Sequence, residues 1–118
     1  MIGKKRTEAQ LVTAIKRYLQ VLENAGDIEW HDRLNSGFVT TGKNRGFFGC
    51  RKGTPDIYII LNNGSAVVWV EAKSEKGLLS KDQEDWRMRV SNWVGHTYLI
   101  VRDLDSLIHQ LKFMGVSV

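Results

Sequence analysis

The chain has 118 residues, 42% of them hydrophobic, and 17 basic against 13 acidic side chains give a net charge of +4 and a pI near 9.4. That length suits one domain, and the basic balance permits contact with nucleic acid or another anionic surface. One cysteine, Cys50, excludes an intrachain disulfide framework and a cysteine-rich zinc cluster. No run approaches the roughly 18 apolar residues of a membrane span, and the amino terminus lacks the apolar region of a signal peptide. The expectation is therefore a soluble protein without a membrane partner, acting in the cytoplasm (in the host cytoplasm or nucleoid were it viral).

Residues 1–6 are a basic lead containing Lys4, Lys5 and Arg6, expected to stay mobile until a partner holds it. Thr7-Glu8-Ala9-Gln10 fits a capping box, with Thr7 as N-cap and Gln10 reaching back. The helix it opens should run to about Ala25 and stop at Gly26, burying Leu11 or Val12, Ile15, Leu19 and Leu22. Glu8 lies one turn before Val12 on that side. It either complements the helix dipole or reaches a site there. A first strand is expected over Asp27–Arg33. Thr40 to Thr54 then holds Gly42, Gly46, Gly49 and Gly53 with Lys43, Arg45, Arg51 and Lys52, and no acid. This reads as a loop, either merely solvated or contacting nucleic-acid phosphates. Its glycines match neither a P-loop nor a dinucleotide fingerprint.

Lys52 to Lys73 organises the chain. Two apolar runs, Asp56 to Leu61 and Ala66 to Ala72, flank Asn62-Asn63-Gly64-Ser65, and Asn-Gly between such runs is a strong signal of a type I′ hairpin. With Asn63 and Gly64 as the turn, Leu61 opposes Ala66, Tyr58 opposes Trp69, and Asp56 opposes Glu71. Alternation puts Asp56, Tyr58, Ile60, Val67, Trp69, Glu71 and Lys73 on one face, and a face without ionisable groups on the other. Opposed Cβ atoms stand about 4.5–5.5 Å apart, where two carboxylates repel unless a cation or shared proton lies between them. The bland alternative is a surface hairpin with a Glu71–Lys73 ion pair. Residues i and i+2 on a strand stand nearly 7 Å apart, a weak arrangement for such a pair.

Ser80-Lys81-Asp82-Gln83 is a second capping box, opening a helix to about Asn92 with Gln83, Trp86 and Val90 on one side. Gln83 either caps that helix or reaches the site. A fourth strand follows at Thr97–Val101, then a helix from Leu104 to about Met114 with Asp103 and Asp105 as capping carboxylates. His31, His96 and His109 are scattered and read as core or surface residues. The order αβββαβ with a C-terminal helix suits a mixed sheet in one α/β domain spanning 1–118.

Pro55-Asp56, fourteen intervening residues, then Glu71-Ala72-Lys73 resembles the PD-(D/E)XK nuclease motif, on a restriction-endonuclease-like fold. Asn35-Ser36-Gly37, Gly53-Thr54-Pro55-Asp56, Gly77-Leu78-Leu79-Ser80 and Gln83 resemble its VRR-NUC (virus-type replication-repair nuclease) branch, in particular the small standalone viral and bacterial type. The resemblance runs from Glu8 to about Leu111. It implies a nuclease using Mg²⁺ or Mn²⁺, with Asp56, Glu71, the Ala72 carbonyl and Glu8 as metal ligands. It further implies that Lys73 activates or orients the attacking water while Gln83 supports the lysine or the substrate. Members of the small type act as homodimers on four-way (Holliday) junctions, so branched DNA is the expected partner, with Lys43, Arg45, Arg51 and Lys52 on its backbone. Trp30, Trp93, Phe113 and Met114 are candidates for a dimer face, with core packing as the other explanation. The rival classes are a catalytically inactive nucleic-acid-binding module on this scaffold and a metal-dependent phosphoesterase for small substrates.

Overall fold

A computed structural model describes residues 6–34, 36–41 and 44–118, with side chains described outside 36–48. Most of the basic lead, residues 1–5, thus lies outside the described residues. Helix α1 spans Glu8–Asn24. Its capping box closes as expected: Gln10 N–H donates to Thr7 Oγ1 (3.1 Å) and Thr7 N–H donates to Gln10 Oε1 (3.0 Å). These two bonds satisfy amide groups that the helix itself leaves without partners. Leu11, Val12, Ile15, Leu19 and Leu22 recur every three or four residues and all are buried. Each adds about 1.5–3 kcal/mol of apolar burial.

Four strands form the main sheet in the order β1-β4-β5-β6. They are β1 (Trp30–Arg33), β4 (Ile57–Leu61), β5 (Ala66–Ala72) and β6 (His96–Val101). The pairs β1–β4 and β4–β5 are antiparallel and β5–β6 is parallel, so the sheet is mixed. The β4–β5 register is the one the turn predicts, with Leu61 opposite Ala66 and Tyr58 opposite Trp69. Asn62–Gly64 forms a single 3-10 turn in which Ser65 N–H donates to Asn62 O (3.2 Å). Asn62, Asn63 and Gly64 stand at φ of 52°, 58° and 93°, the left-handed region that asparagine and glycine tolerate best.

The segment expected to be a loop is largely strand. β2 (Ser36–Thr41) and β3 (Asn44–Gly49) pair antiparallel as a separate two-stranded sheet. Phe38-Val39-Thr40-Thr41 and Phe47-Phe48 carry β-favouring residues in both strands. Backbone pairing tolerates the glycines that rule out a helix. β1 begins at Trp30 rather than Asp27.

Helix α2 (Lys81–Val90) bridges β5 and β6, and α3 (Leu104–Phe113) closes the chain with Asp103 Oδ1 accepting from Ser106 N–H at 2.7 Å. Ile57, Ile59, Leu61, Val68, Val70 and Ala72 from one face of the hairpin join one core with α1 and with Leu107 and Leu111 of α3. The opposite face carries Tyr58, Trp69 and His96, with Trp86 and Trp93 over Trp69 at ring-centroid distances of 5.1 and 6.5 Å. Of the histidines, His31 is buried and bonded through Nδ1 to Glu23 (3.0 Å), His96 accepts from Trp69 Nε1 (2.9 Å), and His109 is exposed. Trp30, Trp93 and Phe113 are exposed, whereas Met114 packs against the core. Among the described residues no helix is long and apolar enough to cross a membrane.

Candidate active site

The hairpin places the two carboxylates. Pro55 is buried and Asp56 continues the ladder beyond β4: its N–H donates to Val70 O (3.0 Å) and its carbonyl accepts from Leu34 N–H (2.8 Å). Held at both backbone groups, Asp56 turns its side chain across to β5, where Oδ2 accepts from Ala72 N–H at 2.8 Å. Glu71 is the neighbour of Ala72 on β5 and is 3% exposed. Its Oε1 is enclosed and has no hydrogen-bond partner. Burial pushes the Glu71 carboxyl up to about 9; the charge of Asp56, a hydrogen bond with Asp56 and the charge of Glu8 push the same way, while Lys73 pulls it back. Glu71 therefore holds its proton more tightly than an ordinary carboxyl, with burial and the Asp56 charge as the leading causes.

Lys73 follows directly after β5 and is 9% exposed, its N–H donating to Val101 O at 2.9 Å. The turn that comes next ties α1 to the site, because Ser74 N–H donates to Glu8 Oε1 (3.1 Å). Glu8 thus stands beside the carboxylate pair, engaged with the backbone rather than free to complement only the helix dipole. Gly77 lets this corner close: a Cβ there would lie 2.9 Å from Ser74 Oγ, 3.2 Å from Glu8 Oε1 and 3.4 Å from Lys73 Cδ. Arg102 clamps the same turn, Nη1 donating to Ser74 O (2.6 Å), Gly77 O (2.8 Å) and Glu75 O (3.3 Å). Sequence reasoning passed over Arg102, whose one visible signal was a charge directly after an apolar strand.

Gln83 sits in the α2 capping box, where its N–H donates to Ser80 Oγ (3.2 Å) and its Oε1 accepts from Ser80 N–H (2.8 Å). Of its two expected roles the cap is occupied. Arg51 and Lys52 are exposed at the approach to Asp56, in a turn where Thr54 N–H donates to Arg51 O at 3.1 Å. That turn lies hard against α2. Gly53 stands at φ 90° with its Cβ position 2.6 Å from Asp82 Cβ, and Lys52 pairs with Asp82 at 3.8 Å. Arg45 belongs by its backbone to β3, opposite Thr40. Lys43 and the Arg45 side chain lie outside the described residues.

The VRR-NUC domain family matches residues 14–93, more than half of the chain. The chain belongs to the VRR-NUC family. No curated protein and no solved structure matches it. VRR-NUC is a nuclease domain family, and a nuclease domain of this basic charge suggests DNA as what it binds. The VRR-NUC match covers Asp56, Glu71, Ala72, Lys73 and Gln83, and starts after Glu8.

The donor set of this VRR-NUC site fits a hard divalent cation. Asp56 and Glu71 offer carboxylate oxygens, and the enclosed Glu71 Oε1 lacks the partner that buried polar atoms almost always have. Among the described residues no three His, Cys, Asp or Glu side chains gather into a ready-made metal cluster. Two carboxylates suffice for Mg²⁺, which usually keeps several of its waters.

Proposed function

We propose that the chain is a divalent-metal-dependent DNA endonuclease that hydrolyses phosphodiester bonds and prefers branched DNA, such as four-way junctions. The observation that carries this reading is the Asp56–Glu71 pair, in which the buried Glu71 carboxyl lies beside the Asp56 charge with one oxygen enclosed and unbonded. Asp56 and Glu71 would hold Mg²⁺ or Mn²⁺, with the Ala72 carbonyl and Glu8 contributing directly or through water. A bound ion of this kind supplies a Lewis acid for a phosphate oxygen and lowers the pKa of a coordinated water.

The chain's own groups do the rest. Lys73, poorly exposed beside the carboxylates, puts a fixed ammonium where negative charge accumulates on the phosphorus oxygens, and electrostatic stabilisation of this kind is usually the largest catalytic effect. Water adds to phosphorus, a phosphorus–oxygen bond breaks, and the leaving oxygen takes up a proton. Glu8, bonded to the turn after Lys73, fixes that corner while the lysine is in use. Arg51 and Lys52 contact the DNA backbone at the entrance and position the strand without reading its bases. Resolving a junction takes two cuts and so two sites, which calls for a homodimer; the exposed Trp30, Trp93 and Phe113 supply apolar surface for one.

The test is a panel of labelled junction, flap, single-stranded and duplex DNA with Mg²⁺ or Mn²⁺. Cleavage should require the ion and be fastest on the junction. Asp56→Asn should bind junction DNA but cut it at least 10³-fold more slowly, a loss of about 4 kcal/mol in transition-state stabilisation. Binding with no cleavage by the parental chain in either ion would leave a nucleic-acid-binding module in place of an enzyme.

A further inference from the structure

Two polar atoms on the α2 side of the sheet are enclosed without a hydrogen-bond partner: Glu71 Oε1 and the Tyr98 hydroxyl. The register puts them close. In the parallel β5–β6 ladder Trp69 is opposite Tyr98 and Glu71 is opposite Ile100, so Tyr98 sits one same-face position before Glu71. His96, two residues earlier on β6, stacks on Trp69 with ring centroids 6.1 Å apart, which fixes this face as the one Tyr98 shares. Burial drives the Tyr98 phenol well above its ordinary value, and the charges of Glu71, Asp56 and Glu84 add to that against an opposing effect of Arg87. The hydroxyl therefore keeps its proton and lies within the field of the two site carboxylates. Sequence reasoning took Tyr98 as an ordinary strand residue.

Buried polar groups are nearly always paired, and an unpaired one in a folded protein calls for an explanation. Two unpaired atoms a rung apart, on the face that holds the carboxylate pair, share one explanation: a hydrated ligand that satisfies both. We propose that Tyr98 is a positioning residue of this site, its hydroxyl hydrogen-bonding a water of the hydrated divalent cation held by Asp56 and Glu71. The inference rests on the metal-dependent reading above and adds to it an outer partner. Such partners are commonly worth 10- to 100-fold in metal affinity.

The experiment titrates Mn²⁺ into the whole chain, followed by electron paramagnetic resonance, for the parental protein, Tyr98→Phe and Tyr18→Phe, with thermal melts in EDTA alongside. Tyr18 carries the other enclosed, unbonded tyrosine hydroxyl, on α1 and under the influence of Asp27, and serves as the control. Tyr98→Phe should weaken Mn²⁺ binding about tenfold or more and leave the EDTA melting temperature unchanged, since the hydroxyl has no partner in the metal-free fold to lose. Tyr18→Phe should alter neither. Parental Mn²⁺ affinity in Tyr98→Phe, or a lowered EDTA melting temperature for it, overturns the role given to Tyr98. A parental protein that takes up no Mn²⁺ overturns the metal-dependent reading itself.

Discussion

Replacing Glu71 with glutamine should stabilise the metal-free protein, the reverse of what removing a buried charged residue usually does. Glu71 has its carboxyl raised from 4.5 to about 9, by burial first and then by Asp56. The sign follows from proton linkage. Between those two values the folded chain holds a proton that the unfolded chain has released, so the contribution of Glu71 to stability is greatest below about pH 4.5 and falls until the pH reaches about 9. Taken in full, the penalty at pH 7 is about 3 kcal/mol, at 1.36 kcal/mol per pH unit. Local relaxation and water penetration around a buried charge bring it to about 2 kcal/mol. Glutamine keeps the side-chain volume, cannot ionise, and offers an N–H to Asp56. For a chain of this size about 1 kcal/mol corresponds to roughly 4 °C in melting temperature, so Glu71→Gln should melt roughly 8 °C higher in EDTA at pH 7.

The assay is a set of thermal melts of both proteins from pH 5 to 9, in EDTA and in 10-fold excess of Mg²⁺ over its dissociation constant. The difference between the two proteins should shrink below about 1 kcal/mol near pH 5, because that pH lies only about half a unit above the unfolded-state value of 4.5. Mg²⁺ should raise the parental protein by about 1.4 kcal/mol at that excess, and Glu71→Gln hardly at all. A parental melting temperature equal to or above that of Glu71→Gln at pH 8 in EDTA would refute the reasoning. So would a variant that Mg²⁺ stabilises as much as the parental chain.

Gly77→Ala should change stability by less than about 1 kcal/mol, because the atoms its Cβ meets belong to side chains rather than to backbone and can shift by a few tenths of an ångström. It should slow cleavage about tenfold at unchanged DNA affinity by displacing Glu8 and Lys73; unchanged turnover would show that the close fit of that corner is not used. Arg51→Ala with Lys52→Ala should reduce the slope of log binding constant against log salt by up to about 2, at about 0.9 per phosphate contact on duplex DNA. Filter binding on junction DNA from 50 to 200 mM salt measures it, and an unaltered slope would remove both residues from the DNA interface.

What could be read from the residues, and what could not, divides according to how far apart in the chain the interacting groups lie. Both capping boxes close as their four-residue patterns require. The β4–β5 register follows from Asn63-Gly64, because a tight turn leaves the strands that enter and leave it no freedom to slip. The approach of Asp56 to Glu71 is a consequence of that register, so the carboxylate pair was legible. The β2–β3 pairing was not: the glycines of that segment argued against a helix equally well for loop and strand, and backbone pairing decided between them. Gln83 had two roles of equal weight in the sequence, and the local one took its Oε1.

Tyr98 and Arg102 were illegible for a stronger reason. Their places depend on the parallel β5–β6 register, and those strands are joined through α2 rather than a turn, so sequence spacing leaves their sliding free. Packing supplies what the connection does not. Val101 is 1% exposed against the core shared with α1 and α3, and a shift of one residue along β6 would put Val101 on the aromatic face and Tyr98 in that core. The core that fixes Val101 therefore also sets Arg102 against the Ser74–Gly77 turn and points Tyr98 to the side of the sheet that carries Glu71.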